Sequence, residues 1–248
     1  MTGLPEAVNI EIGVPKILLM SWLAILFIAL ISFFATRRML MVPRRLQGVL
    51  EIGLGFVYGL ADSVIGEEAK RYYPLFLGLF LFIFVGNLMG LVPGLTAPTS
   101  NLNVTVALAL VVFFSTHYFG IRQHGLVGYL KHFTGEVPWW LKPFMFVIEM
   151  ISQLARPLSL SFRLFGNMMA KEVLLGVLAM LVVLLLPSKN LIQKALTAGP
   201  FLVLPFIYLL GTLISFIQAF IFTILTIFYV GSAVEVQHQV EIRHEGRN

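Results

Sequence analysis

Residues 17–35 run for nineteen positions without a charged side chain. A helix needs about 20 apolar residues to cross a hydrocarbon core of about 30 Å, so this stretch is predicted to be a membrane span. Similar runs occupy 74–92, 102–119, 143–186 and 201–230. All are continuous, with none of the period-2 alternation that a membrane barrel requires, so helices do the spanning. Composition agrees: charged residues make up 12% of the chain against about 25% in a soluble domain, and the mean hydropathy is +0.92. The predicted fold class is an all-α integral membrane protein with the lipid bilayer as its solvent. It forms one membrane domain over 1–248, with five membrane-embedded helices and one interfacial amphipathic helix.

The absence of cysteine excludes disulfides, thiolate metal sites and thiol nucleophiles, and leaves the redox compartment unread. A net charge of +5 would suit a nucleic-acid partner, but a basic excess in a membrane chain belongs to its cytoplasmic loops. No nucleic acid is inferred.

Orientation follows from where those charges fall. Residues 1–16 carry Glu6, Glu11 and Lys16, without the basic start or cleavage site of a signal peptide, whereas Arg37, Arg38, Arg44 and Arg45 follow the first span. The N-terminus is therefore expected outside. Five crossings then place the tail, 231–248, in the cytoplasm. On that layout eleven Lys and Arg lie inside and three outside (Lys16, Lys189 and Lys194), as the positive-inside rule requires. Within 46–66, Leu46, Val49, Leu50, Val57, Leu60, Ala61 and Val64 recur at helical spacing opposite Gln47, Glu51, Tyr58 and Asp62. This predicts a helix in the cytoplasmic interface, serving as an anchor or as a docking surface. Gly86 and Gly90 are spaced for close helix packing.

The stretch 143–186 is the most informative. Its 44 residues make about 66 Å of helix, roughly twice the hydrocarbon thickness, so a bend near Pro157 or a strong tilt is expected. The run 201–230 is also too long to stand upright, and the two are read as one tilted hairpin. Ionisable residues inside a membrane are costly and face protein or water. With Arg163 as zero and about 100° per residue, Arg156 falls near +20°, Glu149 and Asn167 near +40°, Lys171 near +80° and Glu172 near 180°. Glu149 lies fourteen residues from Arg163, about 21 Å along the helix. Arg163 thus has no carboxylate partner on its own face nearby. It either pairs elsewhere to hold the bundle, or acts as a fixed positive barrier between carboxylates at two depths, since arginine keeps its proton.

The segment PLSLSFRLFGNM at 157–168, followed by QAFIFTILT at 218–226, resembles subunit a of the F-type ATP synthase. Asn103, Val104 and Thr105 and the five-crossing layout extend the resemblance. It implies a stator subunit of the rotary membrane motor in a bacterial inner membrane, partnered by the c-subunit ring and the peripheral-stalk b subunits, with two proton half-channels leading to and from the ring carboxylates. Carried over by position, Arg163 is the arginine that prevents a short circuit, Asn167 and Gln218 flank it, Glu172 belongs to the outer half-channel, and Glu149 and Ser159 belong to the inner one. Two positions depart from the common pattern. Lys171 stands where many members have glycine, and Gly211 stands where many have histidine or glutamate. The pair suggests volume exchange, with Lys171 reaching the outer half-channel near Gly211; the alternative is a lysine that snorkels to the headgroups.

No phosphate-binding loop, metal-ligand spacing or Ser-His-Asp ordering supports a catalytic residue, metal or cofactor of the chain's own. His117, His124, His132, His238 and His244 are read as loop or interface residues. A self-contained ion channel or secondary transporter is the competing function, but no inverted repeat supports it.

Overall fold

The computed structural model describes residues 16–37, 45–92, 94–134, 138–185 and 191–234. The predicted outer N-terminus at 1–15, the tail from 235 onward with His238 and His244, and Arg38, Arg44, Lys189, Arg243 and Arg247 of the charge count lie outside these residues. Among the described residues all regular structure is helical.

The first helix, α1 (Lys16–Thr36), buries only Ala24 and Ala35 and exposes its large apolar side chains, as suits a lipid-facing span. The second, α2 (Arg45–Ile65), is amphipathic as expected: Val57 and Ala61 are fully buried, while Glu51 and Asp62 are exposed. Gly66, at φ +79°, ends it where an L side chain would be strained. A 3₁₀ turn, Gly66–Arg71, leads into α3 (Tyr73–Met89), which starts with Pro74 in its first turn, where the missing N–H costs nothing. The chain bends by 118° at this elbow.

After α3 a second 3₁₀ turn, Pro98–Ser100, precedes α4 (Leu102–Thr134). Asn101 caps α4 by accepting a 2.8 Å hydrogen bond from the Asn103 N–H. Two helices of 44 residues complete the chain, α5 (Lys142–Leu185) and α6 (Leu191–Val234). They pack antiparallel: Arg156 lies over Tyr229, Asn167 meets Gln218 and Lys171 meets Ser215. A common core joins Phe76 and Ile83 of α3, Val112 of α4, Leu160, Leu164 and Met168 of α5, and Phe222 and Ile227 of α6.

Several expectations need correction. The predicted span 102–119 belongs to a helix that runs to Thr134, interrupted at Gly125 (φ +70°, ψ 165°). Beyond that break Tyr129 comes so close to Gly120 that a Cβ there would lie 2.3 Å from the ring. The run predicted at 201–230 lies within a helix that begins at Leu191. Both errors share one cause: hydropathy marks the lipid-matched part of a helix, whereas backbone hydrogen bonding continues through polar, helix-compatible residues. Pro157 lies inside α5, which continues through it. Gly86 and Gly90 admit the 3₁₀ turn rather than another long helix. A Cβ on Gly90 would lie 2.8 Å from that of Ala97, and one on Gly86 would touch Pro98 and Thr99.

Among the described residues, three helical segments are long and apolar enough to cross a membrane, Lys16–Thr36, Leu102–Tyr129 and Val203–Val234, or four if the bent pair around the elbow forms one span. The predicted count of five membrane-embedded helices plus one interfacial helix exceeds this, because α5, carrying Glu149, Arg156, Arg163, Lys171 and Glu172, is not among them.

Candidate functional site

The polar side chains of the α5–α6 hairpin gather in two clusters. The first lies toward the start of α5. Gln153, four residues beyond Glu149, donates to its Oε1 at 2.8 Å and accepts from Arg156 Nη1 at 3.2 Å; Arg156 Nη2 stands 3.8 Å from the same carboxylate oxygen. The Arg156 guanidinium lies over the Tyr229 ring, 5.1 Å from its centroid, a contact worth about 0.5–2 kcal/mol. Beside it is a pocket whose wall includes Thr116, His117, Gln153, Arg156 and Tyr229.

The second cluster lies fifteen residues further along α5, about 22 Å from Arg156. Lys171 is only 6% exposed, and its Nζ donates to the Asn87 backbone oxygen at 2.8 Å and to Ser215 Oγ at 3.1 Å. Asn87 lies in the last turn of α3, where carbonyls lack a helical partner. The next available N–H, that of Leu91, bonds to Leu88 instead. The ammonium therefore caps the negative end of α3. Glu172 accepts from the Ala97 N–H at 3.1 Å, at the head of the 3₁₀ turn. Two adjacent residues of opposite charge thus fasten both ends of the α3–α4 connection to α5. Asn87 Oδ1 accepts from Thr99 at 2.5 Å, while its buried Nδ2 has no partner among the described residues.

Lys171 also packs against Gly211. Its Cδ lies 3.5 Å from where a Gly211 Cβ would stand, and Leu91 Cδ2 lies 2.6 Å from the same point. The amine is engaged inside the protein rather than at headgroups.

Arg163 lies between the clusters. Its neighbours Leu160 and Leu164 are buried in the core, but Arg163 is exposed, and among the described residues no hydrogen bond or ion pair engages it. Around it the uncovered face of α5 carries Ala155, Ser159, Phe162, Gly166 and Ala170. One turn on, Asn167 Nδ2 donates to Gln218 Oε1 at 2.7 Å, so the two residues expected to flank the arginine are bonded to each other. Ser159 is exposed on the same surface, clear of the first cluster's hydrogen bonds.

The sequence reading missed Asn87, Gln153, Ser215 and Tyr229. A signal existed for two of them: Asn87 is a lone amide inside an apolar run, and Gln153 stands at i+4 from Glu149. Ser215 and Tyr229 become visible only once the register of α5 against α6 is known.

The fold and these clusters define a multi-pass helical membrane protein with ionisable groups held at two depths along one hairpin. The family model for the ATP synthase A chain matches residues 18–231, and the chain belongs to that family. Similar proteins include ATP synthase subunit a of Geobacter sulfurreducens, 42% identical over 88% of this chain and 87% of the relative. Subunit a 1 of Syntrophotalea carbinolica is 44% identical over 88% and 85%, and subunit a of Trichlorobacter lovleyi is 38% identical over 96% and 95%.

Proposed function

We propose that this chain is the proton-translocating stator of the membrane sector of an ATP synthase, working against a ring of c subunits and anchored by peripheral-stalk b subunits. The observation that carries the proposal is Arg163: a permanently charged side chain, exposed and without a partner among the described residues, on a helix face that otherwise carries no charge and includes the small residues Ala155, Ser159, Gly166 and Ala170. Such a face lets a second helix approach closely, and a passing carboxylate would supply the missing counter-ion. Proton transfer onto the ring occurs from one cluster and transfer off it from the other. Glu172, with Lys171 beside it, serves the outer half-channel, and Glu149 with Ser159 serves the inner one. Between them the core residues Leu160, Leu164, Met168 and Phe222 are apolar, and Arg163 with Asn167 and Gln218 closes the route along the ring face. In the bacterial inner membrane the N-terminus lies outside and the C-terminus in the cytoplasm, and α2 lies in the cytoplasmic interface.

The test is Arg163→Ala in the complete complex. The subunit should insert and assemble, since the apolar pattern is intact, but ion-driven ATP synthesis should cease. Arg163→Lys should fail too, because a flexible ammonium does not reproduce the guanidinium fork. Synthesis at the wild-type rate in either variant refutes the assignment.

A further inference from the structure

One polar contact between the two clusters lies behind Arg163 rather than beside it. Thr105, near the start of α4, and Ser161 of α5 are both buried, and their hydroxyl oxygens stand 3.0 Å apart. Thr105 Oγ1 also donates to the Leu102 backbone oxygen at 3.0 Å. A hydroxyl has a single hydrogen and a carbonyl only accepts, so Ser161 donates to Thr105 and Thr105 to Leu102. The chain of bonds therefore runs from α5 into the start of α4. That end of α4 is fixed in its own right, because Asn101 accepts from the Thr105 N–H with its backbone oxygen and from the Asn103 N–H with its side chain.

Ser161 precedes Arg163 by two residues, which is about 3 Å along the helix axis and about 160° around it. The hydroxyl pair thus grips the back of α5 at the level where the guanidinium leaves its front. The rest of that buried side is Leu160, Leu164 and Met168, whose burial is non-directional and tolerates a small rotation. A hydrogen bond is directional and weakens steeply once its angle falls below about 120°. Turning α5 by about 20° carries a group at the helix surface, about 5–6 Å from the axis, through about 2 Å. That is enough to break the contact. On the Arg163 side, Asn167 bonded to Gln218 of α6 holds the same helix four residues further on.

We propose that Ser161 and Thr105 are positioning residues for Arg163: their hydroxyl chain fixes the rotation of α5 so that the guanidinium faces the passing ring carboxylate. The proposal rests on the stator reading above. The guanidinium needs no partner within the chain to stay in place, because its aim is set from the opposite side of its own helix. If α5 turns, Arg163 swings away from the ring, and protons cross without rotation because the arginine closes that route only where the ring passes.

The experiment uses the assembled complex in inverted membrane vesicles. It reads the proton leak per complex, with the soluble sector attached and no nucleotide present, and the ratio of ATP-driven pumping to ATP hydrolysis. Ser161→Ala removes the donor, and Thr105→Val removes its acceptor with a side chain of nearly the same shape. Each should raise the leak about two- to tenfold, the change in an equilibrium that losing one neutral hydrogen bond produces, and should lower the pumping ratio. The double variant should leak no more than the leakier single one, since both substitutions remove the same bond. A purely structural role would reduce the amount of complex, so that pumping and hydrolysis fall together while the ratio and the leak per complex keep their wild-type values. That result overturns the proposal, and so do independent, multiplying effects in the double variant. If Ser161→Ala fails to assemble, Thr105→Val decides; failure of both to assemble also overturns the proposal, because the hydroxyls then serve the fold and not the aim. Arg163→Ala in the same vesicles is the control for the underlying reading: coupling lost there but intact in the hydroxyl variants refutes only the positioning, whereas coupling retained there refutes the stator function itself.

Discussion

Lys171 allows charge and volume to be separated by two substitutions. Lys171→Met keeps most of the stem against Gly211 and removes the ammonium. Losing the amine forfeits two charge-assisted hydrogen bonds, about 1.5–3 kcal/mol each, and leaves the Asn87 carbonyl without its cap. Against that stands the several kcal/mol needed to keep an ion out of water. The two nearly cancel, so assembly should survive with a change of about 2 kcal/mol or less. Lys171→Gly removes the four methylenes as well, at about 0.8 kcal/mol each, and should cost roughly 3 kcal/mol more. Adding Gly211→His should return part of this, because the ring enters the space that the stem vacates, although Leu91, 2.6 Å from the Gly211 Cβ position, must shift to admit it. The assay pairs thermal stability of the purified complex with ATP-driven proton pumping across a pH series. Lys171→Met should shift the pumping profile while the complex stays intact. If Lys171→Met is as unstable as Lys171→Gly, the hydrogen bonds outweigh the stem and the volume argument fails. An unchanged pumping profile in both single variants would remove Lys171 from the outer half-channel.

Glu172→Cys and Glu149→Cys, placed in this cysteine-free chain, should react with membrane-impermeant thiol reagents from the outer and the cytoplasmic side respectively; labelling of both from one side contradicts two separate access routes. Gly90→Ala sets two methyl carbons 2.8 Å apart against Ala97, with no flexible side chain to yield. The yield of assembled complex should fall in line with an overpacking cost of about 1–3 kcal/mol, and unaltered yield would mean that the α3–α4 connection is freer than it looks.

Much of this was legible beforehand because a membrane makes hydropathy and charge speak to different questions. Apolar runs located α1 and α3, and helical periodicity placed Glu149, Arg156, Arg163 and Asn167 around one side of α5; the elbow before Pro74 was not foreseen. What the pattern could not hold was partnership. Glu149 and Arg156 were placed in one row, yet their link through Gln153 depends on side-chain reach, and the cation–π contact with Tyr229 depends on the register of a helix seventy residues away. The inward turn of Lys171 was hard to read for a related reason: its acceptor is a backbone carbonyl of Asn87, a group every residue has and no sequence singles out. Pro157 set no helix boundary, since a missing N–H in mid-helix need not end the helix.

The uncovered arginine also bears on how copies of this chain are kept or discarded. A guanidinium at mid-bilayer on an isolated helix costs about 2.5–3.5 kcal/mol even by the mildest scale, which is a factor of roughly 100 in an equilibrium. A lone chain carries that penalty on an open surface and can relieve it only by thinning the lipid around Arg163 or drawing water to it. A partner bringing a carboxylate to the same place removes the penalty. On the proposed function, the side chain that would guard against proton leakage in the assembled motor is thus also one whose cost is relieved only by assembly, which makes the unassembled chain the less stable population.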